Sequence, residues 1–129
     1  MILLLDTSSP ECYVCLVDES GARHEYRWQA DRGLAKGLLA YLEGTLDSHG
    51  LGVRDLKGVG FYRGPGSFTG LRIGAATVNA IVYSVGIPAV GETGEGWIDQ
   101  ALGRLSAGES DSLITPEYGR EARITTPRK

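Results

Sequence analysis

From Ile73 to Val90 no side chain carries a charge. A stretch of that length without charge has two homes, a membrane or the inside of a folded domain. Thr77, Asn79, Ser84, Gly86 and Pro88 interrupt it, and Gly86-Ile87-Pro88 stops any helix partway along. The stretch therefore reads as a buried helix ending at Ser84 or Val85, then a strand beginning at Ala89-Val90. Such a helix needs a sheet to lie on, and the rest of the chain must supply it.

The chain has 129 residues, 42% hydrophobic and 22% charged, which suits one ordinary globular domain. Thirteen basic residues stand against sixteen acidic ones, a net charge of −3. A mildly acidic body is a poor sole binder of nucleic acid, because phosphate affinity needs a surplus of Lys and Arg. Two cysteines make no disulfide framework. Met1 to Leu5 has neither the length nor the basic start of a secretory signal. The expectation is a cytoplasmic protein with no membrane contact. Nineteen glycines are about twice the usual share of ~7%, so some must sit where backbones turn or pack closely.

Met1 to Leu5 is an unbroken apolar run, as in a strand covered on both faces. Asp6-Thr7-Ser8-Ser9-Pro10 is turn chemistry. Cys12 to Val17 reads as a second strand, and Arg23 to Trp28, alternating large and polar residues, as a third and more exposed one. Asp31 is placed to cap a helix carrying Leu34, Leu38, Leu39, Leu42 and Leu46 at helical spacing. Gly50 and Gly52 end it. Leu56 to Tyr62 reads as a fourth strand. Ser67 or Thr69 caps the uncharged second helix. Ala89-Val90 opens a fifth strand, Trp97 to Leu105 forms a third helix, and Leu113-Ile114-Thr115 is placed as a last short strand. The expected division is one lobe over residues 1–115 and a basic tail over 116–129. Arg120, Arg123, Arg128 and Lys129 outweigh Glu117 and Glu121 in that tail. The order βββαβαβα defines an α/β fold with a mixed five-stranded sheet and helices packed on it. It resembles a single lobe of the actin-like ATPase (ribonuclease H-like) superfamily.

Several segments carry chemistry on paper. Gly64-Pro65-Gly66-Ser67-Phe68-Thr69-Gly70-Leu71-Arg72-Ile73-Gly74 is a glycine-rich loop opening a helix, which presents free N–H groups to an anion. It has no Lys at P-loop spacing, and Thr69 stands where a dinucleotide fingerprint needs its third Gly. The plainer reading is a tight corner that needs glycine for steric reasons. Asp6 stands where an actin-like ATPase carries its metal-organising Asp. Thr7, Ser8, Ser9 and Pro10 replace the glycines that follow in such enzymes, so Asp6 and Thr7 read as local ties on a turn. Cys12 and Cys15 have the spacing of a zinc or redox half-site, but three apart on a strand they face opposite ways. His24 and His49 read as isolated surface residues. No metal set, cofactor or catalytic group is expected.

The second helix remains. A helix on a sheet needs one apolar stripe, and Leu71, Ala75, Val78, Val82 and Val85 make it. Gly70, Gly74, Ala76, Asn79, Ala80 and Tyr83 fill the other faces, mostly with small side chains that let another helix approach. Either a second layer of this chain covers them or a partner does. The expected partner surface is Leu38, Tyr41, Leu42 and Thr45 of the first helix with Gly70, Arg72, Gly74, Ala76, Asn79, Ala80 and Tyr83 of the second.

The segment Tyr62-Arg63-Gly64-Pro65-Gly66-Ser67-Phe68-Thr69-Gly70-Leu71-Arg72-Ile73-Gly74 resembles the hallmark of the TsaB (YeaZ) family. Leu3-Leu4-Leu5-Asp6-Thr7-Ser8 is similar to the family's first strand and turn. Asp55-Leu56, Gly86-Ile87-Pro88 and the ending Pro116-Glu117-Tyr118-Gly119-Arg120 also fit. The resemblance implies a role in making threonylcarbamoyladenosine at position 37 of tRNA. In that role the protein pairs with the transferase TsaD through a helical bundle and takes the ATPase TsaE as third component. It meets tRNA only through that complex and does no chemistry itself. Family members can also self-associate, so a homodimer is the alternative use of the helices. Two departures stand out. The usual second actin-like lobe is absent from this sequence, so the nucleotide pocket between lobes is not expected. Leu34 and Leu38 occupy positions where the transferase carries a metal-binding pair of histidines. A rival from another class is an ATP-dependent phosphotransferase or ATPase working as a dimer. A peptidase, a label attached to relatives, finds no assembled nucleophile.

Overall fold

Leu3, Leu4 and Leu5 are all 1% exposed or less, and their alternation sends them into two different cores. They sit on β1 (Ile2–Asp6), the middle strand of a mixed five-stranded sheet with spatial order β3-β2-β1-β4-β5. The computed structural model describes residues 1–117. β1 runs antiparallel to β2 (Glu11–Val17), which turns antiparallel into β3 (Arg23–Gln29). On its other side β1 is parallel to β4 (Gly58–Gly64), itself parallel to β5 (Ala89–Thr93). Parallel neighbours need crossovers, and α1 (Leu34–Asp47), α2 (Phe68–Val85) and α3 (Trp97–Ser106) lie between and after them. The expected order of elements is observed.

α1 and α2 cover one face of the sheet, and α3 covers part of the other. The uncharged stretch is α2 and β5 with the turn between. No helix among the described residues is long and apolar enough to cross a membrane. Gly86, with φ +79°, is the left-handed cap that ends α2. Cys12 joins Leu3 and Val14 in the larger core while Cys15 joins Leu4 and Val17 in the smaller. Both are free thiols, and burial pushes that of Cys12 up to about 12.

Three expectations need correction. Asp31 does not cap α1. Its own backbone is left-handed (φ +49°), its carboxylate accepts from Gln29, and the helix starts after a 3-10 turn, with Gly33 as an N-cap that makes no side-chain bond. β4 begins at Gly58 rather than Leu56, because Val53–Asp55 forms another 3-10 turn. Leu113-Ile114-Thr115 is not a strand. It belongs to a strap that leaves α3 and wraps the outer edge of β5.

Side chains and isolated backbone bonds hold the strap instead of a ladder. Asp111 N–H donates to Ala89 O at 2.7 Å, Ala89 N–H to Ser110 Oγ at 3.1 Å, and Gly91 N–H to Asp111 Oδ2 at 2.8 Å. Asn79 of α2 brackets Ile114, donating to its carbonyl and accepting from its N–H. Arg63 Nε reaches Thr115 O at 2.6 Å, passing over Gly91, where a Cβ would collide with it. Pro116 is buried and Glu117 N–H donates to Arg63 O. The rest of the basic tail, with Tyr118 and Arg120, lies outside the described residues.

Arg104 locks the strap's start, donating to Glu92 (2.7 Å), Glu109 (2.7 Å) and Asp111 (2.5 Å). Burial pushes the Asp111 carboxyl up, but hydrogen bonds from Arg104 and Gly91 N–H outweigh it and leave the group below its ordinary 3.8. A depressed folded pKa contributes stability above the unfolded value, lost as pH falls through the folded one. Arg104→Ala is expected to lower unfolding stability by about 1–2 kcal/mol at neutral pH. In urea titrations across the acid range below about pH 4, the variant should lose less additional stability than the wild-type chain.

Candidate functional site

The glycine-rich segment is a corner where the N-terminus of α2 presses on the turn after β1. Ser67 caps α2, its hydroxyl accepting from Gly70 N–H at 3.3 Å, and its own N–H donates to Ser8 O at 2.8 Å. Thr7, fully buried, donates its hydroxyl to Gly70 O at 2.7 Å. A Cβ on Gly66 would strike Ser8, one on Gly70 the Thr7 carbonyl, and one on Gly74 both the Thr7 hydroxyl and the Phe61 ring. The steric reading of these glycines is the one the packing supports. Asp6 ties its turn locally, accepting from Ser8 N–H at 2.8 Å. Thr7 does not: its tie crosses sixty-three residues to α2.

At the end of β1 an open groove of about 510 Å³ lies between Asp6, Tyr62, Trp97 and the Gly94–Gly96 loop. Asp6, Glu95 and Asp99 line it against one cation, Arg23, which Asp99 already engages at 2.9 Å. That surplus of negative charge repels a polyphosphate. Among the described residues no group of three or more His, Cys, Asp or Glu is arranged to hold a metal ion.

His24 and His49 are not isolated. Their rings stand edge to face with centroids 4.8 Å apart. His24 Nε2 lies 3.0 Å from Asp18 Oδ2, and Tyr26 Oη 2.6 Å from His49 Nε2. The cluster fastens the β2–β3 hairpin to the end of α1. The signal was the period-two row His24, Tyr26 and Trp28, which turns one side of β3 toward α1. Trp28 completes the row by stacking on Tyr41 at 4.8 Å.

The expected partner surface divides. Leu38, Leu42 and Thr45 are at most 8% exposed, and Gly74 is buried. They pack the core because they are the one apolar stripe α1 owns and the closest approach of α2 to β1. Tyr41 is half-buried on Trp28, Gly70 lies under Thr7, and Asn79 faces the strap. Arg72, Ala76 and Ala80 are exposed, and Tyr83 is 92% exposed. Arg72 lies over the ring of Phe68, itself an exposed apolar residue. Of the motif loop, Pro65, Gly66, Ser67, Phe68 and Thr69 are exposed and Gly64 is buried. Leu39 was missed. It is 48% exposed on α1, one position off the Leu34, Leu38, Leu42, Leu46 stripe, a spacing legible in the sequence. Where α1 and α2 begin, Pro10, Leu34, Ala35, Thr69 and Ile73 border a groove of about 340 Å³.

A family model described as TsaD, tRNA N6-adenosine threonylcarbamoyltransferase, matches residues 28–98. The tRNA threonylcarbamoyladenosine biosynthesis protein TsaB of Haemophilus influenzae is 34% identical over 89 residues, covering 69% of this chain and 37% of that protein. TsaB of Escherichia coli is 28% identical over 90 residues, covering 70% and 38%. Among solved structures, YeaZ from Pseudomonas aeruginosa aligns with a TM-score of 0.67 at 29% identity, covering 83% of this chain and 49% of that one. A crystal structure of an uncharacterized protein with similarity to peptidase YEAZ from Pseudomonas aeruginosa aligns with a TM-score of 0.66 at 32% identity, covering 71% and 42%. The chain spans less than two fifths of the length of the curated relatives it matches.

The glycine corner falls inside the matched residues, and its steric basis separates glycines by role. Gly74→Ala is expected to lower stability by about 1–3 kcal/mol through overpacking against Thr7 and Phe61. Gly44→Ala, in α1 with open space around its Cβ position, should raise it by about 0.5–1 kcal/mol. Chemical denaturation of the two variants beside the wild-type chain reads both signs.

Proposed function

The chain belongs to the TsaB (YeaZ) family, and from that premise we propose that it is a non-catalytic partner of the TsaD transferase in threonylcarbamoylation of adenosine 37 of tRNA. The observation that carries this reading is the outer face of α1 and α2. Leu39, Ala76, Ala80 and Tyr83 are exposed there, and no charge interrupts α2 from Ile73 to Val85. Small side chains let a partner helix come within about 8–10 Å of the axis. Leu39 and Tyr83 are large enough to anchor it. The groove where α1 and α2 begin extends the apolar surface.

The turn after β1 supports a role without chemistry. The Thr7–Ser8 turn packs against the glycine corner, and the Asp6 groove is rich in carboxylates. In this reading the lobe docks on the transferase in the cytoplasm, TsaE joins the pair, and tRNA is met through the complex.

Co-purification with TsaD tests the reading. Wild-type chain is expected to copurify, whereas Ala80→Arg should weaken association at least about tenfold, because a guanidinium would be desolvated in an apolar interface. Its circular dichroism should stay that of the wild type. Normal binding by Ala80→Arg would remove this face from the proposal. Threonylcarbamoylation or ATP turnover by the isolated chain would end the non-catalytic reading.

A further inference from the structure

α2 carries a single charged side chain along its whole length, Arg72. It is exposed, and no carboxylate among the described residues forms an ion pair with it. α2 itself gains nothing from the charge, because a cation toward the N-terminal end meets the positive end of the helix dipole. The guanidinium is nonetheless held in place. It lies over the Phe68 ring, 5.6 Å from the centroid, and that ring is itself 39% exposed. Arg72, Ala76 and Tyr83 follow one another on one face of the helix, and all three are exposed. At 1.5 Å rise per residue, Arg72 and Tyr83 stand about 16 Å apart along the axis.

Resting on the reading that this face docks the transferase, we propose that Arg72 determines the specificity of the contact, and that the transferase meets it with a carboxylate. Covering α2 takes Arg72 out of water, and a cation left unpaired in an interface is strongly unfavourable. A carboxylate offsets that loss through two parallel N–H···O bonds. A guanidinium already laid flat on a ring has less freedom to lose in making them. The surface that fits therefore carries an acidic side chain at one end, small apolar contacts opposite Ala76, and about 16 Å away a recess for the Tyr83 ring. A helix or sheet face without the acid is rejected by the same unpaired charge.

A phosphate of the tRNA is the other anion with a matching geometry. The neighbourhood favours the carboxylate. Phosphate binding draws on several cations together, whereas Phe68, Thr69, Ile73 and Ala76 around Arg72 are neutral and the chain as a whole is at −3. One isolated guanidinium on an apolar face suits one isolated carboxylate.

Isothermal titration calorimetry of the full chain with TsaD, in the absence of tRNA, tests the pairing. Arg72→Gln is expected to raise Kd at least about tenfold, and Arg72→Glu further, because like charges then face each other. Arg72→Lys keeps the charge without the planar fork and should restore only part of the loss. Phe68→Leu, with Arg72 intact, should weaken binding about two- to fivefold. The urea midpoints of the Arg72 variants should not fall below that of the wild type, since the cation serves the partner and not the fold. Wild-type affinity in Arg72→Glu, with Ala80→Arg still weakened, would overturn the pairing and keep the docking face. Full affinity in Arg72→Lys, or an effect of Arg72→Gln seen only when tRNA is added, would overturn it too. A wild-type chain that does not bind TsaD would remove the docking reading and this inference with it.

Discussion

Thr7 is a hydroxyl shut away from water on which the β1 turn and the start of α2 meet. A buried hydroxyl needs a partner, and this one finds it in the carbonyl of Gly70. For that bond to form, the backbone of α2 must come down onto the turn, and every Cβ in the way must be missing. Gly66, Gly70 and Gly74 meet that requirement together. Once α2 is seated, Leu71, Ala75 and Val78 fall onto the sheet and the outer face of the helix is determined. The conspicuous glycine text is thus a packing specification, and the apolar face that carries the functional proposal is its geometric result.

Much of this was readable from residue order. Met1 to Leu5 declared a two-sided strand, Arg23 to Trp28 a more exposed one, Ser67 or Thr69 a cap and Gly86 a stop, because each signal is local. The failures are non-local. Leu113-Ile114-Thr115 has strand composition, yet Asn79 and Arg63, 35 and 52 residues away, satisfy its backbone. His24 and His49 look unrelated until strand register turns one toward the other. Asp31 carries a capping side chain on a backbone that does not present it. On α1, Leu38, Leu42 and Thr45 were assigned to a partner although the helix has a single apolar stripe and the sheet claims it. What remains exposed is narrower than the sequence implied, Leu39 and the outer side of α2, and the proposed docking rests on these.

Charge is distributed by role. The Asp6 groove gathers carboxylates, the α2 surface is neutral from Ile73 to Val85, and β3 alternates sign along its exposed side. None of this follows from the net value of −3. Long-range attraction of a polyanion is weak for such a body, whereas short-range recognition by shape and by paired charges has surfaces suited to it. The relatives of this chain are named for tRNA threonylcarbamoyladenosine biosynthesis.

The strap has a mechanical consequence. It begins beside α3, crosses the β5 edge at Ala89 and Gly91, drops Ile114 into the opposite core and is bonded to Arg63 at Thr115 and Glu117. Tension applied at Glu117 is therefore shared among both helical layers and the neighbouring strand. The last described stretch behaves as a lashing over the laminate, loading its layers in parallel where a free end would peel them one at a time.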